Sequence, residues 1–254
     1  MTLNPMDLTG HSILVSGASS GMGRETSILL SRLGATLVLV ARRADALAET
    51  ERLLEGSGHR SVPYDLTATD GIPAWMKALA AESGPLSGLV HSAGIQLTRP
   101  LRVLTQAHLD DVMRINLGAA VALVKGFRQK GVVSDKGRSV VLVASIMGLV
   151  GQPGIGAYAA SKGALIALCR SLALELAPER IRLNCVCPGH VHTEMAQRLR
   201  ETLTPEQFAA IEAMHPLGIG TALDVAYAVA FLLADTSRWI TGTTLVVDGG
   251  YTAQ

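Results

Sequence analysis

Tyr158 and Lys162 stand four positions apart in "GIGAYAASKGALIAL" (154–168), a stretch otherwise made almost wholly of small and apolar residues. At that spacing a phenol and an ammonium share one face of a helix, one turn apart. Two readings are open: ordinary helix decoration, or a lysine placed to change what the tyrosine can do. The second has chemical content. A free tyrosine has a pKa near 10, so only about one molecule in a thousand is ionised at neutral pH. An ammonium ~4 Å away at an effective dielectric of ~20 supplies roughly 4 kcal/mol, or ~3 pKa units. That would acidify Tyr158 enough to make it an acid–base group near its working pH. Its small neighbours Ala157, Ala159, Ala160, Ser161 and Gly163 are expected to leave room for ligands against the helix.

A second constellation lies near the N-terminus. "SGASSGMGRE" places Gly17, Gly21 and Gly23 after a strand-like run and before a helical stretch. Glycines there let the backbone turn tightly and approach a pyrophosphate, whose charge then sits at the helix N-terminus. A plain turn into a helix also uses glycines; the strand before it and the helix after it point to dinucleotide binding. The next strand-like run ends in "VARRAD". An NAD site usually has an acid here to bond the ribose 2′-hydroxyl. This chain has Ala41, Arg42 and Arg43, and guanidiniums match the 2′-phosphate of NADP. The other reading is that both arginines cap a solvated helix start.

Further reactive residue types carry less. His190 and His192 alternate in one loop, with no third ligand nearby and no H-E-x-x-H, so they read as loop histidines and no metal is expected. Ser145 lacks the G-x-S-x-G elbow of a hydrolase nucleophile. Cys169, Cys185 and Cys187 cannot all pair and form no C-x-x-C, which reads as buried, reduced thiols.

Positioning these groups requires strands that end near one another. The strand-like runs are 11–16, 36–40, 61–65, 88–92, 139–144, 181–186 and 243–248. Several are apolar at nearly every position, as strands covered on both faces are. Helix-compatible stretches fall between them, at about 22–33, 44–55, 69–82, 105–130, 157–177 and 223–234. This alternation predicts an α/β chain with a doubly wound parallel sheet of about seven strands. No linker or compositional break interrupts it, so the 254 residues are read as a single domain. The stretch 192–220 is far longer than a usual strand-to-helix connection and is expected to form a substrate lid. Net charge is +1, with 22 basic and 21 acidic residues interspersed, which excludes a nucleic-acid footprint. The opening "MTLNPMDLTG" lacks the parts of a signal peptide, and no apolar run reaches the ~20 residues of a spanning helix. A cytoplasmic protein with no membrane partner is expected.

With these motifs in this order, the sequence resembles the short-chain dehydrogenase/reductase family over nearly its whole length, up to the C-terminal "LVVDGGY". "SGASSGMG" matches T-G-x-x-x-G-x-G, with Ser16 for the threonine. "HSAG" stands where the family usually has N-N-A-G: His91 and Ser92 depart, Ala93 and Gly94 agree. "RINLGA" supplies Asn116, "LVASIMG" supplies Ser145, and Tyr158 with Lys162 completes Y-x-x-x-K. The resemblance implies a Rossmann-type fold and a catalytic group of Asn116, Ser145, Tyr158 and Lys162. Tyr158 would exchange a proton with the carbonyl or alcohol oxygen, and Ser145 would hydrogen-bond that oxygen. Lys162 would also bond the nicotinamide ribose, and Asn116 would position a relay water.

The resemblance also implies coenzyme contacts from Gly17, Ser19, Ser20, Gly21, Met22 and Gly23, from Arg42 and Arg43, and from Ser92, Ala93 and Gly94. Asp65 and Leu66 would meet the adenine, unless Asp65 is a generic strand-end aspartate. "CPGHVHTEM" would hold the nicotinamide through Pro188, Gly189, Val191 and Thr193, beside Tyr158 and Lys162. Many NADP-using members carry a second basic residue in the glycine turn, where this chain has Ser20.

The activity implied is NADP(H)-dependent reduction of a ketone, most like the 3-oxoacyl thioester reductases of the family, on a small molecule free or linked to a carrier protein or CoA. The alternatives are a dehydrogenase of a sugar, steroid or other secondary alcohol, and a non-catalytic NADP-binding sensor or scaffold. Ile146, Met147, Gln152, Pro153 and the lid are expected around the substrate. The helix after 156 is apolar on nearly every face, which predicts a homodimer or homotetramer.

Overall fold

The apolar runs become strands because both of their faces are covered. The computed structural model describes residues 4–194, 197 and 204–254. Its main sheet contains β1 (Ser12–Ser16), β2 (Thr36–Ala41), β3 (Arg60–Pro63), β4 (Gly88–His91), β5 (Ser139–Val143), β6 (Arg182–Pro188) and, after two short strands, β9 (Thr244–Val247). All pair in parallel, in the order β3-β2-β1-β4-β5-β6-β9. Among the described residues the helices include α1 (Gly21–Arg32), α2 (Ala44–Glu51), α3 (Ile72–Ser83), α4 (Gln106–Met113), α5 (Ala119–Phe127), α6 (Gly156–Leu176), α7 (Pro205–Ala213) and α8 (Ala222–Leu233).

Alternate strand residues feed two cores. Leu14, Val38, Leu89, Val140 and Leu142 pack with Met76 and Leu79 of α3, Phe127 of α5 and Leu165 of α6. Ile13, Val15, Leu37, Val90 and Val141 pack on the other face with Leu30 of α1, Leu47 of α2 and Val225 and Val229 of α8. A residue shift of one would exchange these two sets without exposing either, so the apolar pattern alone leaves register open. In the structure Ile13 stands opposite Leu37 of β2 and Gly88 of β4. The chain runs outward from β1 through β2 to β3, then returns to place β4 on the opposite side of β1. That reversal opens a crevice at the carboxyl ends of β1 and β4, the place where such sheets bind ligands.

The structure departs from the periodic reading in three places. The expected helix at 105–130 is α4 and α5 joined through a five-residue π turn, Arg114–Gly118. The stretch expected at 44–55 stops at Glu51, and the one at 69–82 starts with a 3₁₀ turn, Thr69–Gly71. The 192–220 insertion is tied at both ends. Its short strands β7 (Val191–His192) and β8 (Gly220–Thr221) pair in parallel, and α7 lies between them. Thr204 caps α7 by accepting from the Gln207 N–H, and the Gln207 side chain returns the bond to the Thr204 N–H. "TPEQ" carried that capping-box signal in the sequence. Part of the expected lid, residues 195–196 and 198–203, lies outside the described residues.

Candidate active site

The crevice is a cleft of about 720 Å³. Gly17, Ser19, Ser20, Gly21, Met22 and Gly23 line it from the first turn, Arg42 and Arg43 from the end of β2, and Asp65 and Leu66 from beyond β3. Ser92, Ala93 and Gly94 face them from the end of β4, and Thr193 closes the rim. Pro188, Gly189 and Val191 lie close by, at the end of β6 and the start of β7, outside the cleft lining.

The turn fits a phosphate-bearing ligand because side chains are kept out of it. Gly17 has φ +75°, and a Cβ there would stand 2.7 Å from the Ala93 nitrogen. A Cβ on Gly23 would collide with the Gly17 carbonyl oxygen. The N-terminus of α1 therefore faces the cleft with bare backbone, where helix N–H groups favour an anion. Arg24, which no motif singles out, braces this turn: its guanidinium donates to the Ser19 carbonyl at 2.7 Å and to the Thr50 hydroxyl at 3.1 Å.

Arg42 and Arg43 are both exposed where β2 meets the cleft. Asp65 stands near them with its pKa lowered, chiefly by the Thr67 N–H, which it accepts at 3.0 Å, and also by Arg42. Its carboxylate is thus ionised and available to an amino group. Tyr64, Thr67, Ile95, Gln96, Ile115 and Glu194 also line the cleft. Several directly adjoin residues the motifs marked or follow a strand's carboxyl end, which is the signal that could have found them.

Beyond Gly94 the four expected catalytic residues come together. A Cβ on Gly94 would lie 3.1 Å from Asn116 Oδ1 and 3.5 Å from Lys162 Nζ. Asn116 sits in the π turn, fully buried. Its side-chain oxygen accepts the Ile95 N–H at 2.8 Å, and its amide donates to the Ile95 carbonyl and the Ser161 hydroxyl. The side chain therefore clamps the loop after β4 onto α6. Ser145, at the end of β5, accepts the Met147 N–H at 3.1 Å and faces the Tyr158 phenol. Lys162 is 5% exposed, donates to the Val143 carbonyl at 2.8 Å and lies 5.7 Å from the centre of the Tyr158 ring.

The electrostatics differ from the simple pair. The Tyr158 pKa is raised, because burial outweighs the lowering by Ser145. Burial also brings Lys162 down to about 8. The lysine is turned towards the strand-end carbonyl, and burial decides the direction of the phenol's shift. Cys187, beside both, is pushed up to about 11 by burial and stays a thiol. All three cysteines are buried and free.

Gly148 lets the 3₁₀ turn Ile146–Gly148 close on α6, since a Cβ on it would stand 2.8 Å from the Gly163 nitrogen. Ile146 and Met147 are buried with Ile155, and Tyr158, Val150 and Tyr251 pack on that apolar cluster. Gln152 and Pro153 are exposed. His190 donates its backbone N–H to Nε2 of the buried His215, which stacks at an angle on Tyr251, while His192 is exposed. His215 and Tyr251 join the site through the fold alone. Among the described residues no group of three metal-ligating side chains forms.

A family model described as enoyl-(acyl carrier protein) reductase matches residues 17–252. A cis-4-hydroxycyclohexanecarboxylate dehydrogenase of Sinomonas cyclohexanicum is 37% identical over 246 residues, 94% of this chain and 96% of the relative. A 3-oxoacyl-[acyl-carrier-protein] reductase of Rattus norvegicus is 37% identical over 238 residues, 93% and 95% of the two chains. A solved structure from Agrobacterium tumefaciens, described as a candidate 2-deoxy-D-gluconate 3-dehydrogenase with bound NADP, superposes with TM-score 0.88 at 30% identity, covering 99% of this chain and 100% of that one.

Proposed function

The chain belongs to the short-chain dehydrogenase/reductase family and is an oxidoreductase of CH–OH groups; we propose that it uses NADP(H) and reduces the ketone of a 3-oxoacyl thioester. The observation that carries the reading is the grouping of Ser145 and Lys162 around the Tyr158 ring, behind Gly94 of the cleft that the glycine turn and the arginines line. A bound nicotinamide supplies hydride transfer. Tyr158 holds its proton and gives it to the substrate oxygen, and Ser145 donates a hydrogen bond to that oxygen as charge develops. The cluster of Ile146, Met147 and Ile155 offers an aliphatic wall beside the phenol. The 192–220 segment, carried on the paired β7 and β8, serves as the lid.

Support for NADP(H) comes from Arg42 and Arg43 on the cleft, the absence of an acid at Ala41, and the bound NADP in the Agrobacterium structure. The Y-x-x-x-K spacing of Tyr158 and Lys162 supports ketone–alcohol chemistry over enoyl reduction. A second substrate reading is a cyclic secondary alcohol, favoured by the Sinomonas relative. Buried free cysteines support a reducing, cytoplasmic setting. On the outer side of α6, Ala160, Ala167 and Ser171 are exposed and Leu174 is 77% exposed, which supports association of this face with another copy.

The test is a substrate panel with NADPH consumption, and NADP reduction in reverse, as the readout. Turnover of acyl thioesters is expected; inert thioesters beside active cyclic alcohols would exchange the two readings, and no turnover of any ketone would defeat both. Light scattering at micromolar concentration is expected to give a dimer or tetramer, and a monomer would end the association.

A further inference from the structure

His215 is 3% exposed, and both of its ring nitrogens have partners whose roles are fixed. Nδ1 lies 2.7 Å from the Ile211 carbonyl, which can only accept. Nε2 lies 3.3 Å from the His190 backbone nitrogen, whose N–H can only donate. The ring is therefore neutral, with its proton on Nδ1. Each bond meets a need of the chain. The His215 N–H goes to the Glu212 carbonyl, so the Ile211 carbonyl near the end of α7 lacks a helical partner and takes the ring N–H instead. The His190 N–H belongs to the turn between β6 and β7. Backbone already pins the rest of that turn: the Gly189 N–H donates to the Val247 carbonyl at 2.9 Å, and the His190 carbonyl accepts the Gly220 N–H at 3.1 Å.

The ring is held from two further sides. Tyr251 meets it at 50° with ring centres 4.9 Å apart, and the His190 ring meets it edge-on at 5.4 Å. Tyr251 in turn packs on the cluster of Ile146, Met147 and Ile155 beside Tyr158. The neighbouring carboxylate, Asp248, accepts from Gly250 and Thr252 and bonds to neither ring nitrogen. His215 thus joins three parts of the site: the end of α7, the turn that leads into Val191 and Thr193, and the C-terminal segment on the apolar wall. The sequence pattern singled out the rings of His190 and His192. The ring that ties the site together is the third histidine's, and His190 meets it through its backbone.

We propose that His215 is a positioning residue for the nicotinamide end of the coenzyme: through the His190 N–H it fixes the turn that carries Val191 and Thr193. The proposal rests on the NADP(H) reading of the site, in which those two residues hold the nicotinamide. The glycine turn and Arg42 line the cleft without contact from His215. Loss of the ring is therefore expected to be felt by one half of the coenzyme only.

The test compares NADPH with 2′,5′-ADP, which keeps the adenosine and its phosphates but lacks the nicotinamide. In His215→Leu, NADPH binding by fluorescence titration is expected to weaken about tenfold, because the His190 N–H loses its acceptor, while 2′,5′-ADP binding by calorimetry stays unchanged. His215→Gln, whose side-chain oxygen can accept the same N–H, is expected to recover most of the loss. Wild-type NADPH affinity in His215→Leu overturns the proposal. So does a parallel loss of both ligands, which would mark a merely structural role. A second measurement holds even where His215→Leu does not fold: ¹⁵N NMR of histidine-labelled wild type at pH 8, with His215 identified by its loss in His215→Gln. A neutral Nδ1–H tautomer is expected, with signals that move on adding NADPH and stay in place with 2′,5′-ADP. An Nε2–H tautomer, an imidazolium, or signals indifferent to saturating NADPH overturn it. If the wild type binds NADH and not NADPH, the coenzyme reading alone is wrong, and the same comparison is made with NADH and AMP. If it binds neither coenzyme, the reading and the proposal fall together.

Discussion

The Lys162 ammonium lies 5.7 Å from the centre of the Tyr158 ring, yet its hydrogen bond goes to the Val143 carbonyl at 2.8 Å. The cation thus sits below the ring, away from a direct bond to the phenol oxygen. Burial then acts on both partners, raising the tyrosine and bringing the lysine to about 8. The phenol is a reliable proton donor at neutral pH, and the titrating partner is the lysine. Lys162 is charged below its pKa and loses that charge as pH rises through about 8. The kcat for ketone reduction is therefore expected to be level on the acid side and to fall through that value. A kcat–pH profile with NADPH saturating checks this; a profile still level at about pH 9.5 would remove Lys162 from the rate.

Tyr158→Phe keeps the ring and its packing on Ile146 and Met147 but removes the hydroxyl. Coenzyme binding should persist, because the glycine turn and the arginines lie at the other end of the cleft. Turnover should fall by about a hundredfold or more, since no proton donor remains at the substrate oxygen. Fluorescence titration with NADPH, run beside steady-state kinetics, separates the two. Near-normal kcat with bound coenzyme would show that the proton comes from another group.

β1, β2 and β5 were legible because each is apolar on both faces, as Ile13, Leu14 and Val15 show by dividing between the two cores. The glycine turn was legible because Gly17 and Gly23 occupy points where a side chain meets backbone. The π turn around Asn116 was not, since one extra residue per turn leaves the apolar periodicity of a helix almost unchanged. The direction of Lys162 was also hidden: helical spacing gives its distance from Tyr158, while the competing acceptor, Val143, comes from a strand nineteen positions earlier. His91 reads from the sequence as a motif departure. Its partner at Nδ1 is Ser16, which the parallel β1–β4 pairing places directly opposite.

His91 also carries an acid-stability consequence. Its folded pKa, about 3, lies below the ordinary histidine value of 6.5. A depressed histidine contributes stability that is complete above the unfolded pKa and is lost as pH falls, because the unfolded chain takes the proton first. The window therefore runs from 6.5 down to about 3. The groups facing the ring are Lys162, which lowers the pKa further, and the uncharged Ser16 and Asn116. At ~1.4 kcal/mol per pKa unit the full effect is no more than about 5 kcal/mol. Urea denaturation across this range should show stability falling with acid in the wild type and a shallower fall in His91→Asn. Equal slopes would mean that the ring is hydrated in the folded protein.

Coenzyme choice turns on Arg42, exposed at the end of β2 beside Arg43 and the ionised Asp65. A guanidinium pairs with a 2′-phosphate through charge-assisted hydrogen bonds worth roughly 1.5–3 kcal/mol in a partly exposed site. At ~1.4 kcal/mol per decade, NADP(H) is expected to be preferred over NAD(H) by about ten- to a hundredfold in kcat/KM. Added salt should erode that preference, because the pair is screened at the surface. Ala41→Asp combined with Arg42→Ser should invert it: the new carboxylate would accept the NAD ribose hydroxyl and repel the phosphate. The double variant leaves the glycine turn and Tyr158 untouched, so its kcat with saturating NADH should approach that of the wild type with NADPH. The comparison of kcat/KM for both coenzymes in both proteins decides the matter. A wild type that prefers NAD(H) would make Arg42 a solvated surface residue and leave Asp65 as the main polar contact at the adenosine end.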